Sequence, residues 1–131
     1  ANAIEPRKRM LSSMTPTIVL QEGKPFLVTG SPGGSTIITT VLQVLVNVID
    51  HGMALSPAVS SPRFHHQWIP DSITVEADSF SADTLDALRA KGHSDIRPAR
   101  YGLGDANSVM RVNGVLHGVE DPRTQGGAAG Y

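Results

Sequence analysis

The chain has 131 residues, with eleven basic and twelve acidic side chains, a formal net charge of -1 and no cysteine. That length fits one domain with room for a real core, and the charge balance leaves no electrostatic footprint for nucleic acid or an anionic membrane surface. The lack of cysteine removes disulfides, zinc-thiolate sites and thiol nucleophiles.

The opening, Ala-Asn-Ala-Ile-Glu-Pro, carries no methionine and reads as an interior or processed boundary. The short basic run from Pro6 to Arg9 reads as a solvated turn. A Ser12-Ser13 pair follows. On residue type alone it is a turn or a strand cap. Thr17 to Leu20 and Phe26 to Thr29 are β-branched or apolar, and Glu22-Gly23 between them predicts a β-hairpin. Pro25 predicts that the second strand begins at its own edge.

Next comes Gly-Ser-Pro-Gly-Gly-Ser-Thr, Gly30 to Thr36, leading into a long apolar segment. Ser35 is the candidate N-cap of a helix. Thr36, Thr39, Thr40, Gln43, Asn47 and Asp50 supply nearly all its polar positions, and most of them form one narrow stripe. The remaining residues are Ile, Val and Leu, which predicts a helix buried around most of its circumference. Gly52 ends it in the left-handed conformation. The apolar run is too short and too interrupted to cross a bilayer.

Ser56 and Pro57 predict a short helix with Ser as cap and Pro at its first position. Ile73, Val75 and Ala77 alternate as a half-buried strand. Ser81 caps an amphipathic helix with Leu85 and Leu88 inward, and Gly92 stops it. Asn113-Gly114 predicts a second hairpin. The pattern is α+β with mainly antiparallel pairing.

Three chemistries compete for the Gly33-Gly34 loop. A phosphate loop needs a Lys after the second glycine, or a G-x-G-x-x-G spacing, and neither is present. A strand-to-helix turn needs only the positive φ that Gly supplies. An oxyanion hole needs backbone N–H groups at a helix start with no side chain in the way. His65-His66 lacks the i, i+4 partner of a metal-binding helix, so both are read as structural. Trp68 is read as packing. Asp121 and Arg123 are read as a local ion pair that fixes the tail. The expectation is no metal and no cofactor.

The segments LSSMTPTIV, LVTGSPGGSTIITTVLQ, SPRFHHQW and the terminal DPR…AAGY occur in order along nearly the whole chain. Together they resemble the γ-glutamyltransferase (γ-glutamyltranspeptidase) family. The chain looks like the C-terminal two-thirds of that family's small, catalytic subunit, with residues 1–131 as a single domain. The resemblance implies an N-terminal-nucleophile hydrolase fold, an αββα sandwich. It implies cleavage of the γ-glutamyl amide of glutathione or glutamine and transfer of the acyl group to water or an amine. It implies that Gly33 and Gly34 supply the oxyanion hole and that Ser12 and Ser13 hold the substrate's α-carboxylate. The family's nucleophile is a threonine at the free N-terminus of the small subunit, and no residue here matches it. The resemblance therefore implies two partners, the large subunit and an upstream segment carrying that threonine. It also implies a zymogen matured by autocatalytic processing, in the periplasm or outside the cell. A related glutaryl or cephalosporin acylase, and a non-catalytic interaction module of the same fold, remain alternatives.

Overall fold

The computed structural model describes residues 3–10 and 14–130. Strands β1 (Thr17–Gln21) and β2 (Lys24–Thr29) pair antiparallel, with Thr17 opposite Thr29. Glu22 and Gly23 both take positive φ, the turn that suits the twist of a two-residue hairpin. Strand β2 is internal to its sheet, between β1 and a later strand, β6 (Ser108–Val112). Pro25 is tolerated there because β6 meets β2 only at Leu27 and Val28. A register shift between Val19 and Leu20 relieves the ladder opposite it.

Helix α1 (Ile37–Ile49) is entered through a 3-10 turn, Gly34–Thr36. Helix α2 (Leu55–Ser60) follows. Ala54 and not Ser56 stands at its cap, so Pro57 falls at the third position, still within the turn whose N–H groups need no helical partner. Strands β3 (Phe64–His65), β4 (Ile73–Val75) and β5 (Ile96–Pro98) form a small sheet in that order, and β4 and β5 run parallel. Helix α3 (Ala82–Ala90) separates β4 from β5. The Ser81 hydroxyl accepts from the Thr84 N–H as its cap. Leu85 and Leu88 are only half-buried. Strands β6 (Ser108–Val112) and β7 (Val115–Val119) close the second hairpin at Asn113-Gly114, giving the larger sheet the order β1-β2-β6-β7.

The core lies on one face of that sheet. Leu27 and Met110 from the strands meet Val44 and Val48 of α1 and Leu55, Ala58 and Val59 of α2. The opposite face carries Ile18, Leu20, Val28, Val109 and Leu116, all exposed. A sheet with apolar side chains on both faces is built to be covered on both. The chain thus lays its helices α1 and α2 on one face of the larger sheet, with the three-stranded sheet beside them, in an α+β arrangement.

Helix α1 is buried on a narrower face than the expected greater part of its circumference. Ile37, Val41, Val44 and Val48 are buried, while Ile38, Leu42 and Ile49 are exposed. Its polar stripe is a fastening seam. The Gln43 amide donates to the Phe64 carbonyl (2.8 Å) and accepts from the Phe64 N–H (3.0 Å), and Asn47 donates to the Ala58 carbonyl at 3.1 Å. Each such bond contributes about 1 kcal/mol net, and together they hold β3 and α2 in register with α1.

Candidate active site

Thr17 pairs with Thr29, so the chain entering β1 and the chain leaving β2 are neighbours at one end of the sheet. A Cβ on Gly30 would lie 3.2 Å from the Thr15 carbonyl oxygen, which shows how closely the two segments pass. The topology therefore brings the chain that follows the serine pair to the root of the glycine loop. Ser12 and Ser13 themselves lie outside the described residues.

Gly33 has φ 132 and Gly34 φ 59. The first value is open to glycine alone in practice, and a Cβ there would also meet Thr36 Oγ1 at 2.7 Å. At Gly34 a Cβ would meet nothing within 4 Å. The Gly33 carbonyl is drawn back toward the helix, accepting from the Thr36 N–H at 3.2 Å and the Thr36 hydroxyl at 2.9 Å. In a trans peptide the next N–H points opposite to that carbonyl. The Gly34 N–H is thereby aimed away from the helix, on an exposed loop. Ser35 does not cap α1, contrary to expectation. It sits inside the 3-10 turn, and Thr36 takes the N-cap position without a capping hydrogen bond from its side chain. The positive end of the helix dipole is left facing outward with the first N–H groups.

Behind this loop runs a second one, residues 103–106, tied at both ends and at Asp105. Asp105 N–H donates to the Ser31 hydroxyl (2.9 Å), and that hydroxyl donates to the Pro32 carbonyl (2.6 Å). Leu103 N–H donates to Glu76 (3.0 Å), and its carbonyl accepts from Arg63 (2.9 Å). Ala106 N–H donates to Asp121 at 2.7 Å. The charged groups form one network. Arg63 pairs with Asp121 at 2.7 Å with both side chains nearly inaccessible, and Arg123 reaches Asp121 (3.1 Å) and Glu76. Burial opposes the charge on Asp121, but the Ala106 N–H and the Arg63 guanidinium outweigh it and hold its carboxyl below the usual range. Burial likewise opposes ionisation of Glu76, and the bonds from Arg123 and the Leu103 and Arg63 N–H groups prevail. For Arg63 burial dominates, and with the neighbouring Arg123 charge it lowers the guanidinium pKa despite Asp121.

The expected Asp121–Arg123 pair is present. Arg63 and Glu76 were missed, and the only sequence hint was the similarity of Pro62-Arg63 to Pro122-Arg123.

His65 is structural, as read, with Nδ1 bonded to the Thr39 hydroxyl (2.8 Å) and Nε2 to Gln67 (3.0 Å). His66, Asp71 and His93 gather their polar atoms within 4.8 Å of one another, a grouping invisible to sequence spacing because His93 arrives from beyond α3. The Trp68 N–H donates to His66 Nδ1 (3.3 Å), and His66 Nε2 lies 3.0 Å from the Asp71 carboxylate. The rings of His66 and His93 meet edge-on, with centroids 5.9 Å apart. Trp68 is 76% exposed, not packed as expected. Among the described residues no helix is long and apolar enough to cross a membrane.

A family model described as gamma-glutamyltranspeptidase matches residues 1–131. The glutathione hydrolase proenzyme of Escherichia coli (strain K12) is 54% identical over 125 residues, 95% of this chain and 21% of that protein. The counterpart in Bacillus subtilis (strain 168) is 41% identical over 131 residues, 99% of this chain and 22% of that protein. The chain thus spans about a fifth of the length of these curated relatives. Among solved structures, the gamma-glutamyltranspeptidase from Pseudomonas nitroreducens complexed with L-DON superposes with a TM-score of 0.88 at 40% identity, covering 99% of this chain and 68% of that one. A mutant of the Helicobacter pylori gamma-glutamyltranspeptidase gives 0.84 at 52% identity, covering 94% and 67%. A cephalosporin acylase from Bacillus halodurans gives 0.85 at 27% identity, covering 98% and 24%.

Proposed function

The chain belongs to the gamma-glutamyltranspeptidase family, and from that premise we propose that it is the C-terminal segment of the small subunit of a γ-glutamyl transferase/hydrolase. In this reading an upstream segment supplies the N-terminal threonine. Its hydroxyl oxygen attacks the γ-carbonyl carbon of glutathione or glutamine while its own α-amino group takes the proton. The carbonyl oxygen becomes an oxyanion and is met by the N–H groups of Gly33 and Gly34. The C–N bond breaks, the amine leaves with that proton, and a γ-glutamyl ester remains. Water or an acceptor amine then attacks the ester and releases the threonine. Ser12 and Ser13 hold the α-carboxylate throughout. No step calls for a metal or an organic cofactor.

The observation that carries the reading is the Gly34 N–H, turned outward by the tied-back Gly33 carbonyl at an uncapped helix start. The bare sheet face and the exposed stripe of Ile38, Leu42 and Ile49 fit covering by the upstream segment and the large subunit. Higher identity to the transpeptidases than to the cephalosporin acylase favours a γ-glutamyl over a glutaryl substrate. The same reading puts the mature enzyme in the periplasm or outside the cell.

The test is an assay of the assembled enzyme on γ-glutamyl and glutaryl anilides. Turnover of the first at least tenfold above the second is expected, and preference for the glutaryl substrate would overturn the assignment.

A further inference from the structure

Resting on that reading, we propose that Ser31 is a positioning residue, whose buried hydroxyl locks the oxyanion loop to the 103–106 loop and so sets the direction of the Gly33 and Gly34 N–H groups. Ser31 lies two residues before Gly33 and is fully inaccessible. Its hydroxyl has both functions used at once. It accepts from the Asp105 N–H at 2.9 Å and donates to the Pro32 carbonyl at 2.6 Å. The proton donated to Pro32 fixes the peptide that joins Pro32 to Gly33. The lone pair given to Asp105 anchors that peptide to a second loop.

The second loop is itself tied at both ends, by Glu76 and Arg63 at Leu103 and by Asp121 at Ala106. Between them Gly104, at φ 76, packs so tightly that a Cβ would lie 2.7 Å from Ser31 Oγ and would collide with Thr40. The absence of a side chain at Gly104 is what lets the two loops touch. A catalytic N–H pair on an exposed turn, flanked by glycines free to rotate, needs such an anchor. Misplacement of a catalytic group by about 1 Å costs on the order of 10²-fold in rate.

The test uses the full-length enzyme, unmodified or carrying Ser31→Ala or Gly104→Ala. kcat and KM for a γ-glutamyl anilide are read separately, beside thermal unfolding and the infrared band of the isotope-labelled acyl carbonyl during turnover. With Ser31→Ala, kcat is expected to fall roughly tenfold to a hundredfold with KM within about twofold and the melting temperature lowered only by what the loss of two buried hydrogen bonds explains. The carbonyl band should move to higher wavenumber, because a misdirected donor polarises the bond less; a purely structural role would not move it. Gly104→Ala should act in the same direction. Unchanged kcat, or a loss of activity with the band unmoved, overturns the proposal while leaving the functional reading intact. Should Ser31→Ala not fold, Ser31→Cys, which keeps only a weak donor, is read instead. Intermediate kcat with a partly moved band supports the lock, and values equal to those of serine overturn it. An unmodified enzyme that cleaves no γ-glutamyl amide overturns both readings.

Discussion

The glycine loop and the 103–106 loop behind it are opposites in construction. Gly33 and Gly34 are exposed, unencumbered by side chains, and followed by a helix without a side-chain cap. Leu103 to Ala106 are tied by hydroxyl, carboxylate and guanidinium groups buried deep in the fold. An exposed donor pair is useful only if its direction is fixed. In the proposed arrangement the exposed element rests against one tied at both ends and at Asp105.

Breaking the rear loop should have the largest effect. Asp121→Ala removes the carboxylate that neutralises Arg63 and leaves a buried guanidinium unpaired. The expected cost is about 3–5 kcal/mol, read by chemical denaturation of the assembled enzyme. A loss below about 1 kcal/mol, the value of a surface pair, would mean that the network is not structurally important. The network also sets a pH dependence. Asp121 and Glu76 both have folded pKa values below their ordinary ones. The stability they contribute is fully present above the ordinary carboxylate range and is lost as pH falls through that range to the lower folded values. Thermal melts should therefore be flat near neutrality and drop in acid, with a shallower drop in Asp121→Asn.

Breaking the front loop should cost catalysis and little stability. Gly34→Val places its Cβ in open space, so the fold loses only the strain of a left-handed branched residue, about 1–2 kcal/mol. Turnover should fall roughly 10²–10³-fold, the scale of a lost oxyanion donor. Near-normal kcat in a folded Gly34→Val enzyme would remove Gly34 from the oxyanion hole.

The front of the site was more legible than the back, for physical reasons. Turns are written in adjacent residues: Glu22-Gly23, Asn113-Gly114 and the Gly33-Gly34 entry all fold as their local chemistry predicts. Helix α1 was readable to within a residue at each end. The Ser35 cap failed because the chain enters α1 through a 3-10 turn, whose start depends on the φ of Gly33 and not on the next hydroxyl. Strand β5 was missed because Ile96–Pro98 has no alternation and is held by its parallel neighbour alone. Arg63, Glu76 and Asp121 are scattered along the sequence. Only the tertiary fold brings them together, and a buried charge looks like a surface charge until then.

The serine pair should contribute less than either loop and should act on binding. Ser12→Ala with Ser13→Ala is expected to lower kcat/KM by the equivalent of about 1.5–3 kcal/mol, the range for hydrogen bonds to a charged group. The loss should be confined to substrates that bear an α-carboxylate. Equal losses for an anilide lacking that group would reduce the pair to a backbone support.

The smallest effect sharpens the comparison by separating stability from alignment. Helix α3 has no fully buried residue and takes no part in either loop. Its start depends on Ser81, whose hydroxyl accepts from the Thr84 N–H at 3.2 Å. Ser81→Ala should cost about 1 kcal/mol, the usual value of a lost cap. That is similar to the strain expected of Gly34→Val, yet kcat and KM should be unchanged, because nothing in the chain of contacts from Ser31 to Asp105 passes through α3. Measured side by side, the two variants share a modest fall in melting temperature and differ in turnover by two orders of magnitude or more. If Ser81→Ala also slowed turnover in proportion to its stability loss, the rear loop would not insulate the donors from the rest of the fold. The contrast between a yielding front and a fixed back would then fail.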